Sequence, residues 1–357
     1  MERKQFVQNI FNCSVISDAS KGLALASLTS RFDQSKIHPA VLRLGIRMKD
    51  RRIMGTNMRS KCLLVAIGQM LEDYFCPPYK SIERHLKMVL DTQITFITIQ
   101  RQHNIAIGNV IKWLKKEIAN INPSQSSSEI INQLISNIKT YIYQRIINAC
   151  ERISYLVSNY YISENDIIVT YSNSSSVFKS FFKAVNMGKN FQLIIVNPEN
   201  NFEEGNEMII RELSLKGVKI TYILINSISH HLKYATKVII GSCAIFSNGY
   251  VMNRSGSALI SMLANINNVP VLVLTESYKL SEKNYFEGSI TFNELIEREI
   301  SSEREDSIDL TNVKDESKDK TLLYFPCYDV IPPKFINAIV TEDGVFSPFS
   351  ISIQRLK

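Results

Sequence analysis

Apolar residues in the first 160 positions recur at three- and four-residue steps, a spacing that is typical of amphipathic helices. It predicts helices over residues 59–75, 81–101 and 105–121. Ser126 and Glu129 then have the spacing of a capping box, which predicts the start of a further helix. Because the apolar spacing continues to Tyr160, this helix would run for roughly 50 Å at ~1.5 Å per residue and connect to the next part of the chain.

Beyond residue 161 the period changes, and short β-rich runs alternate with helical stretches. The predicted strands are residues 167–171, 192–196, 219–225, 237–240, 269–274 and 338–341, and the helices between the first three are residues 177–185 and 204–216. Gly188 and Gly217 follow these helices, where a left-handed residue commonly ends a helix. This alternation favours a parallel sheet covered on both faces. The sequence therefore predicts an α/β fold with a helical N-terminal domain, residues 1–161, and a Rossmann-like domain, residues 162–357.

One segment of the second domain departs from this pattern. Residues 296–320 are dense in charged side chains and contain few large apolar ones. Such a composition cannot bury enough apolar surface to order a segment. It predicts a solvated, mobile loop within the Rossmann-like domain.

Composition and charge limit the classes of function. The chain is 45% hydrophobic and 21% charged, with a net charge of +7, which is ordinary for a globular protein. Its basic residues are not interleaved with aromatic ones, so they favour a solvated face or an acidic protein partner over nucleic acid. The six cysteines show neither a C-x-x-C pair nor a zinc spacing, which favours reduced thiols in the cytosol. No apolar run has the form of a signal peptide or a membrane span.

Three loops carry candidate chemistry. Residues 170–176 (TYSNSSS) lead from the first predicted strand into a helix, where free N–H groups and hydroxyls either hold an anion or form a plain cap. Residues 241–257 contain the turn signal Asn248-Gly249, and residues 253–257 (NRSGS) would start the next helix. Residues 55–59 (GTNMR) lie in the N-terminal half, with Arg59 beginning a helix. The first two loops follow strands of the predicted sheet, at the edge where open parallel sheets bind ligands.

Several well-known motifs are missing from the sequence. It contains no G-x-G-x-x-G, no P-loop and no G-x-S-x-G elbow. The sequence therefore gives no support for binding of a dinucleotide or a nucleoside triphosphate, or for a serine-hydrolase reaction. The adjacent His230 and His231 would point roughly 100° apart on a helix and would not readily face one metal. The sequence therefore predicts neither a cofactor nor a bound metal.

Seven segments match the pattern of a known superfamily. They are residues 38–45 (HPAVLRLG), 55–59 (GTNMR), 222–226 (YILIN), 247–258 (SNGYVMNRSGSA), 275–279 (TESYK), 292–295 (FNEL) and 328–333 (YDVIPP). From about residue 18 onward the chain resembles the superfamily of methylthioribose-1-phosphate isomerases, ribose-1,5-bisphosphate isomerases and the alpha, beta and delta subunits of eukaryotic translation initiation factor 2B. The segments ESYK and NEL favour the delta branch over alpha and beta.

The resemblance also implies where catalysis would sit. The isomerases use a Cys after the first strand and an Asp after the fourth, and this chain has Ser172 and Cys243 at those positions. A serine hydroxyl has a far higher pKa than a thiol, and a cysteine cannot replace a carboxylate in proton transfer without a strongly shifted pKa. The resemblance thus implies a non-catalytic chain. One alternative is a sugar-phosphate isomerase that has replaced its catalytic pair.

What the resemblance implies instead is a regulatory, cytosolic subunit of the guanine-nucleotide exchange factor for translation initiation factor two. Such a subunit scaffolds a complex with alpha, beta, gamma and epsilon subunits and senses phosphorylation of the factor's alpha subunit; neither a membrane nor direct nucleic-acid binding is implied. Since a phosphoserine carries about −1.5 to −2 charges, Arg43, Arg47 and Arg59 are partner-contact candidates.

A second alternative is a catalytically dead relative that still binds a sugar phosphate or nucleotide. Its candidate ligand residues are Ser172, Asn173, Ser174, Ser175, Asn248, Asn253, Arg254, Gly256 and Ser257.

Overall fold

The computed structural model describes residues 36–122, 125–197, 206–286 and 326–356 of the 357-residue chain. Helices fill most of residues 36–160, here called the helical half, and the strands that follow residue 160 belong to the sheet half. The helical half contains α1 Pro39–Lys49, α2 Thr56–Glu72, α3 Ile82–Gln100, α4 Ile105–Ala119, α5 Ser127–Tyr141, a π-helical segment Ile142–Asn148 and α6 Ala149–Tyr160. The charged residues 296–320 lie outside the described residues.

The three predicted helices are confirmed as α2, α3 and α4, each burying the face that its apolar spacing defines. Helix α2 begins at Thr56 rather than Arg59, because Gly55, with φ of 77°, forms the turn before it. Helix α1 was not predicted, since basic residues interrupt its short apolar stripe. Pro39 at its first turn and the side chain of His38, which accepts a hydrogen bond from the Ala40 N–H, define its start.

The long connecting helix is confirmed as a continuous helical run from α5 to α6. The capping box is present, with Ser126 Oγ 3.3 Å from the Glu129 nitrogen and Glu129 Oε2 3.0 Å from the Ser126 nitrogen. The seven residues Ile142–Asn148 in its middle form i→i+5 hydrogen bonds, which the apolar spacing did not indicate. This π-helical segment separates α5, whose Ile138 packs in the core formed by the helices, from α6, whose Ile153 packs against the sheet.

A seven-stranded sheet in the order β10-β9-β7-β4-β1-β2-β3 forms the centre of the sheet half. Its strands are β1 Asp166–Tyr171, β2 Phe191–Asn197, β3 Lys219–Leu224, β4 Lys237–Gly241, β7 Val271–Leu274, β9 Ala338–Thr341 and β10 Gly344–Phe346. All neighbours pair in parallel except the β9–β10 hairpin. The six predicted strands are thus confirmed, as is the α/β class.

Helices and short helical turns connect these strands. They are α7 Ser175–Asn186, α8 Asn206–Leu215, α9 Ile228–His231 and α10 Ser257–Ile266, with 3-10 turns at Ile225–Ser227, Leu232–Tyr234, Ser277–Lys279, Pro333–Phe335 and Pro348–Leu356. The central strands are buried on both faces, with Val169 and Val238 in one core and Ile168 and Ile239 in the other. Gly188 and Gly217 have φ of 81° and 91°, which confirms their predicted place after two helices.

A second, three-stranded sheet in the order β5-β6-β8 was not predicted. It consists of β5 Ala244–Ile245, β6 Val251–Arg254 and β8 Tyr328–Ile331, paired antiparallel. The prediction that residues 253–257 start a helix is therefore wrong for Asn253 and Arg254, which are strand residues, and α10 begins at Ser257. Pairing with β8, distant in the sequence, decides the local structure here.

The described helices are all too short or too polar to cross a bilayer. The predicted domain boundary at residues 161 and 162 falls in the loop between α6 and β1, and the division into two domains stays a prediction.

Candidate functional site

The carboxyl ends of β1, β4 and β7 lie side by side, since these strands are neighbours in the sheet. The loops that leave them bring together several of the residues singled out in the sequence. Ser172 directly follows β1 and has φ of 56°, a left-handed conformation that non-glycine residues rarely adopt. Its N–H donates to the Val196 carbonyl of β2 at 3.0 Å, so the strained turn is held by the sheet itself. Backbone strain of this kind often marks functional positions.

The buried hydroxyl of Ser172 contacts a cation. Arg254, the last residue of β6, donates from Nη1 to Ser172 Oγ at 2.8 Å. A guanidinium stays protonated and cannot accept a proton, so Arg254 cannot act as a base for this hydroxyl. Arg254 therefore supplies this hydroxyl with a hydrogen-bond donor and a positive charge, but not with a base.

Cys243, on the loop after β4, lies beside an amide. Its Sγ is 3.9 Å from Asn253 Oδ1, and its N–H donates to the Met252 carbonyl at 2.9 Å. The five cysteines in the described ranges are reduced and form no disulfide with one another. The structure thus places Cys243 in the turn between β4 and the small sheet, next to Asn253.

Ser174 packs directly on the backbone at the end of β4. A Cβ built on Gly241 would lie 2.2 Å from Ser174 Oγ, so only glycine fits opposite this serine. Ser174 precedes α7 but its side chain makes no capping bond, Asn173 is exposed, and Ser175 Oγ accepts from Asn57 Nδ2 at 3.2 Å. The serine-rich loop is therefore partly used for contacts within the chain.

A carboxylate of the protein already occupies the amino end of α10. Asp329 of β8 accepts hydrogen bonds from the Gly256 and Ala258 nitrogens, at 2.8 and 3.0 Å, and from Ser257 Oγ at 2.6 Å. Burial raises the pKa of Asp329 despite these three donors. Gly256 has φ of 103°, and a Cβ there would meet Ile225 Cδ1 at 2.5 Å. An anion such as phosphate would have to displace Asp329 to use Gly256 and Ser257.

Asn248 has a contact of another kind. Its side-chain amide donates to the Tyr285 carbonyl at 2.7 Å and its Oδ1 accepts from the Tyr285 nitrogen at 3.2 Å. The Asn248-Gly249 turn is present as predicted, with Gly249 at φ of 82°. These two hydrogen bonds of Asn248 therefore hold the segment after β7 against this turn.

A buried ion pair follows β7 and was missed as a site by sequence reasoning. Glu276 is fully buried, and its Oε2 lies 2.6 Å from Lys279 Nζ, which also donates to the Ser242 carbonyl at 3.2 Å. Burial by itself would raise the pKa of Glu276, but Lys279 and hydrogen bonds from Ser176 and Asn57 hold the pKa below its usual value. The available signal was the segment 275–279 (TESYK), which sequence reasoning used only to support the resemblance.

The three arginine candidates lie in different surroundings. Arg43 is exposed on α1 and Arg47 is half-buried near Cys62. Arg59 is only 1% exposed and donates from Nη2 to the Gln102 carbonyl at 2.9 Å. This burial argues against partner contact through Arg59 and for a role in the helical core.

The described residues contain no cluster of three or more potential metal ligands among His, Cys, Asp and Glu. His230 and His231 lie on α9 with their rings at 73° to each other, and His231 Nδ1 is 3.0 Å from the Ser227 carbonyl.

These features define a Rossmann-like chain with polar loops at the carboxyl edge of its sheet. The pattern of the initiation factor 2 subunit family matches residues 61–348, and the chain belongs to this family. It is similar to the translation initiation factor eIF2B subunit delta of Schizosaccharomyces pombe, with 33% identity over 321 residues, covering 88% of this chain and 68% of that one. The delta subunit of Dictyostelium discoideum is 31% identical over 94% of this chain, which spans about half of that relative's length, 54%.

A solved structure agrees with these relatives. The tetrameric eIF2B-beta2-delta2 complex from C. thermophilum contains a chain with a TM-score of 0.74 and 26% identity, covering 86% of this chain and 92% of that one. The ribose 1,5-bisphosphate isomerase of Pyrococcus furiosus matches at lower identity, 24% over 311 residues, covering 87% of this chain and 91% of the isomerase. The resemblance to delta subunits, with isomerases as more distant relatives, is thereby confirmed.

Proposed function

We propose that this chain is a non-catalytic, delta-type regulatory subunit of the exchange factor for translation initiation factor two. The observation that carries the proposal is an isomerase-like fold with Ser172 and Cys243 at the two positions where the resemblance expects the catalytic Cys and Asp. Arg254 beside Ser172 Oγ supplies a hydrogen-bond donor where a reacting hydroxyl would need a base. The similarity to delta subunits at 31–33% identity supports the same reading.

The partners follow from the same proposal. The solved relative with the TM-score of 0.74 is a complex of two beta and two delta subunits, so we expect a beta-type sister chain to bind this one. The alpha, gamma and epsilon subunits and the alpha subunit of initiation factor two complete the proposed assembly, which acts in the cytosol. We expect no direct contact with nucleic acid.

Sensing of phosphorylation is assigned to the helical half. Arg43 is exposed on α1 and Arg47 lies one helical turn further along, so both are placed to attract a phosphoserine. Arg59 is too buried for this role in the isolated chain.

The regulatory proposal is tested by measuring GDP release from initiation factor two, catalysed by exchange complexes assembled with and without this chain. We expect complexes that contain it to be slowed by factor phosphorylated on its alpha subunit. Arg43→Glu should weaken that inhibition, while Lys139→Glu, at another exposed basic residue on α5, should leave it unchanged. Equal inhibition of complexes with and without the chain would refute the regulatory role.

The isomerase alternative needs a separate assay of the full chain. We expect ribose 1,5-bisphosphate to remain unconverted after prolonged incubation, because no base contacts Ser172 among the described residues. Steady turnover that is lost in Ser172→Ala would favour the isomerase. Saturable binding without turnover would favour the catalytically dead ligand-binding relative.

A further inference from the structure

The segment that follows β7, residues 276–280, joins the helical half to the sheet half and is here called the latch. Its side chains point in two directions. Tyr278 is 7% exposed and packs in the hydrophobic core of the helical half, with Leu63 and Met70 among that core's members. Glu276, two residues earlier, faces the carboxyl end of the sheet. One short 3-10 turn, Ser277–Lys279, therefore carries side chains into both halves.

Polar contacts connect these two side chains through one residue of the helical half. The Tyr278 hydroxyl donates to Asn57 Oδ1 at 2.7 Å, and Asn57 Nδ2 donates to Glu276 Oε1 at 2.7 Å. Because both ends of the Asn57 amide are used, a shift of the start of α2 must break at least one of these bonds.

The sheet side of the latch is equally well anchored. Glu276 accepts from Ser176 Oγ on α7 and pairs with Lys279, which in turn holds the Ser242 carbonyl after β4. Loss of a partner would leave a charge unpaired in a fully buried place, which is costly. If Asn57 moved, Glu276 could move with it only by disturbing its contacts at the start of α7 and at the end of β4.

A second side-chain amide of the helical half forms hydrogen bonds with the latch backbone. Asn109 Nδ2 on α4 donates to the Tyr278 carbonyl at 2.9 Å and to the Leu280 carbonyl at 2.8 Å. Two helices, α2 and α4, thus hold one segment of the sheet half by side-chain amides, and these bonds bridge positions far apart in the sequence.

We propose that the latch couples the two halves, so that they unfold as one cooperative unit and a displacement of α2 is transmitted to the carboxyl edge of the sheet. The latch adds hydrogen bonds and a buried ion pair, which have a single geometry, to the apolar packing of α6 against the sheet. The proposed coupling between the two halves does not depend on which partner binds the chain.

The single tryptophan, Trp113 on α4, provides the readout for the helical half. Urea unfolding of the full chain is followed by Trp113 fluorescence and, for the sheet half, by pulsed hydrogen exchange of peptides from β1, β2 and β4. In the wild-type chain we expect the two transitions to coincide. In Tyr278→Phe, which keeps the ring and removes the hydroxyl, the transitions should separate by on the order of 0.5 M urea.

Asn109→Ala tests the same coupling at a site that leaves the buried ion pair intact, should Tyr278→Phe not fold. Lys115→Ala, which breaks only the partly exposed pair with Asp91 at 2.7 Å, is the control and should keep the transitions together. Separate transitions in the wild-type chain, or coincident transitions in both latch variants, would overturn the proposal.

Discussion

At the scale of single residues, Asp329 shows how a partly buried carboxylate can be satisfied by donors that lie far from it in the sequence. Asp329 supplies the negative charge at the amino end of α10, where Gly256, Ser257 and Ala258 point their donors. The arrangement uses the same chemistry by which helix ends bind phosphate. The chain thus satisfies with its own carboxylate a site that in other proteins takes a ligand.

Removing that carboxylate should expose the site. We expect Asp329→Ala to destabilise the chain by about 2 kcal/mol, because three donors lose their acceptor. Added phosphate should recover part of the loss in the variant and none in the wild type, as measured by urea unfolding with and without phosphate. Asp50→Asn, at an exposed residue, serves as the control; equal response of wild type and Asp329→Ala to phosphate would contradict the assignment.

His103 gives the chain a pH dependence whose direction follows from its surroundings. Burial, with Arg59 nearby, lowers the pKa of His103 to about 4, from 6.5 for the free side chain. The unfolded chain therefore binds the proton more readily, and stability is lost as pH falls from about 6.5 toward 4. His103→Gln should flatten the fall in the urea midpoint between pH 7 and pH 5. An unchanged slope in that variant would show that other groups govern this range.

At the scale of elements, the success of sequence reasoning depended on how clear the apolar pattern of each element is. Helices α2 to α5 show a helical period, and the six predicted strands, including β7 and β9 with four residues each, are marked by β-rich apolar runs. Strand β5 has only two residues, and the four-residue β6 ends in Asn253 and Arg254, so neither has such a run; β6 pairs with β8, which is distant in the sequence. The π-helical segment keeps the helical apolar pattern and so had no separate signal.

The site was less predictable than the fold, for a related physical reason. Ser172 and Arg254 were named from their loops, but their contact depends on how β6 lies against the end of β1. Glu276 and Asn57 come from opposite halves, and no local pattern indicates that an amide on α2 meets a carboxylate after β7. Arg59 looked like a surface cation because its neighbours are polar, whereas packing of α2 buries it.

Two glycines in helical regions should respond to alanine in opposite ways. Gly256→Ala places a Cβ at 2.5 Å from Ile225 Cδ1 in a left-handed conformation, and we expect a loss of roughly 2–4 kcal/mol. Gly108→Ala, inside α4 with nothing within 4 Å of its Cβ, should gain about 0.5–1 kcal/mol. Thermal or urea unfolding of both variants checks the pair, and a stable Gly256→Ala would show that the turn before α10 is not constrained as described.

At the scale of the whole molecule, the chain combines an enzyme-like fold with contacts that fit the proposed non-catalytic role. Ser172 is held by a cation, Cys243 lies beside an amide and Asp329 fills the end of α10. The latch ties the helices to the carboxyl edge of the sheet, the edge at which open parallel sheets bind ligands. These features fit a subunit that conveys the state of one surface to another better than one that turns over a small molecule.

Affinity purification of the tagged full chain from its own cells, with identification of the co-purifying proteins, tests this account most directly. We predict recovery of alpha- and beta-type sister chains, the gamma and epsilon subunits and initiation factor two. Recovery of a stable homo-oligomer free of all of these proteins would contradict the account, and it would turn attention to sugar-phosphate isomerisation.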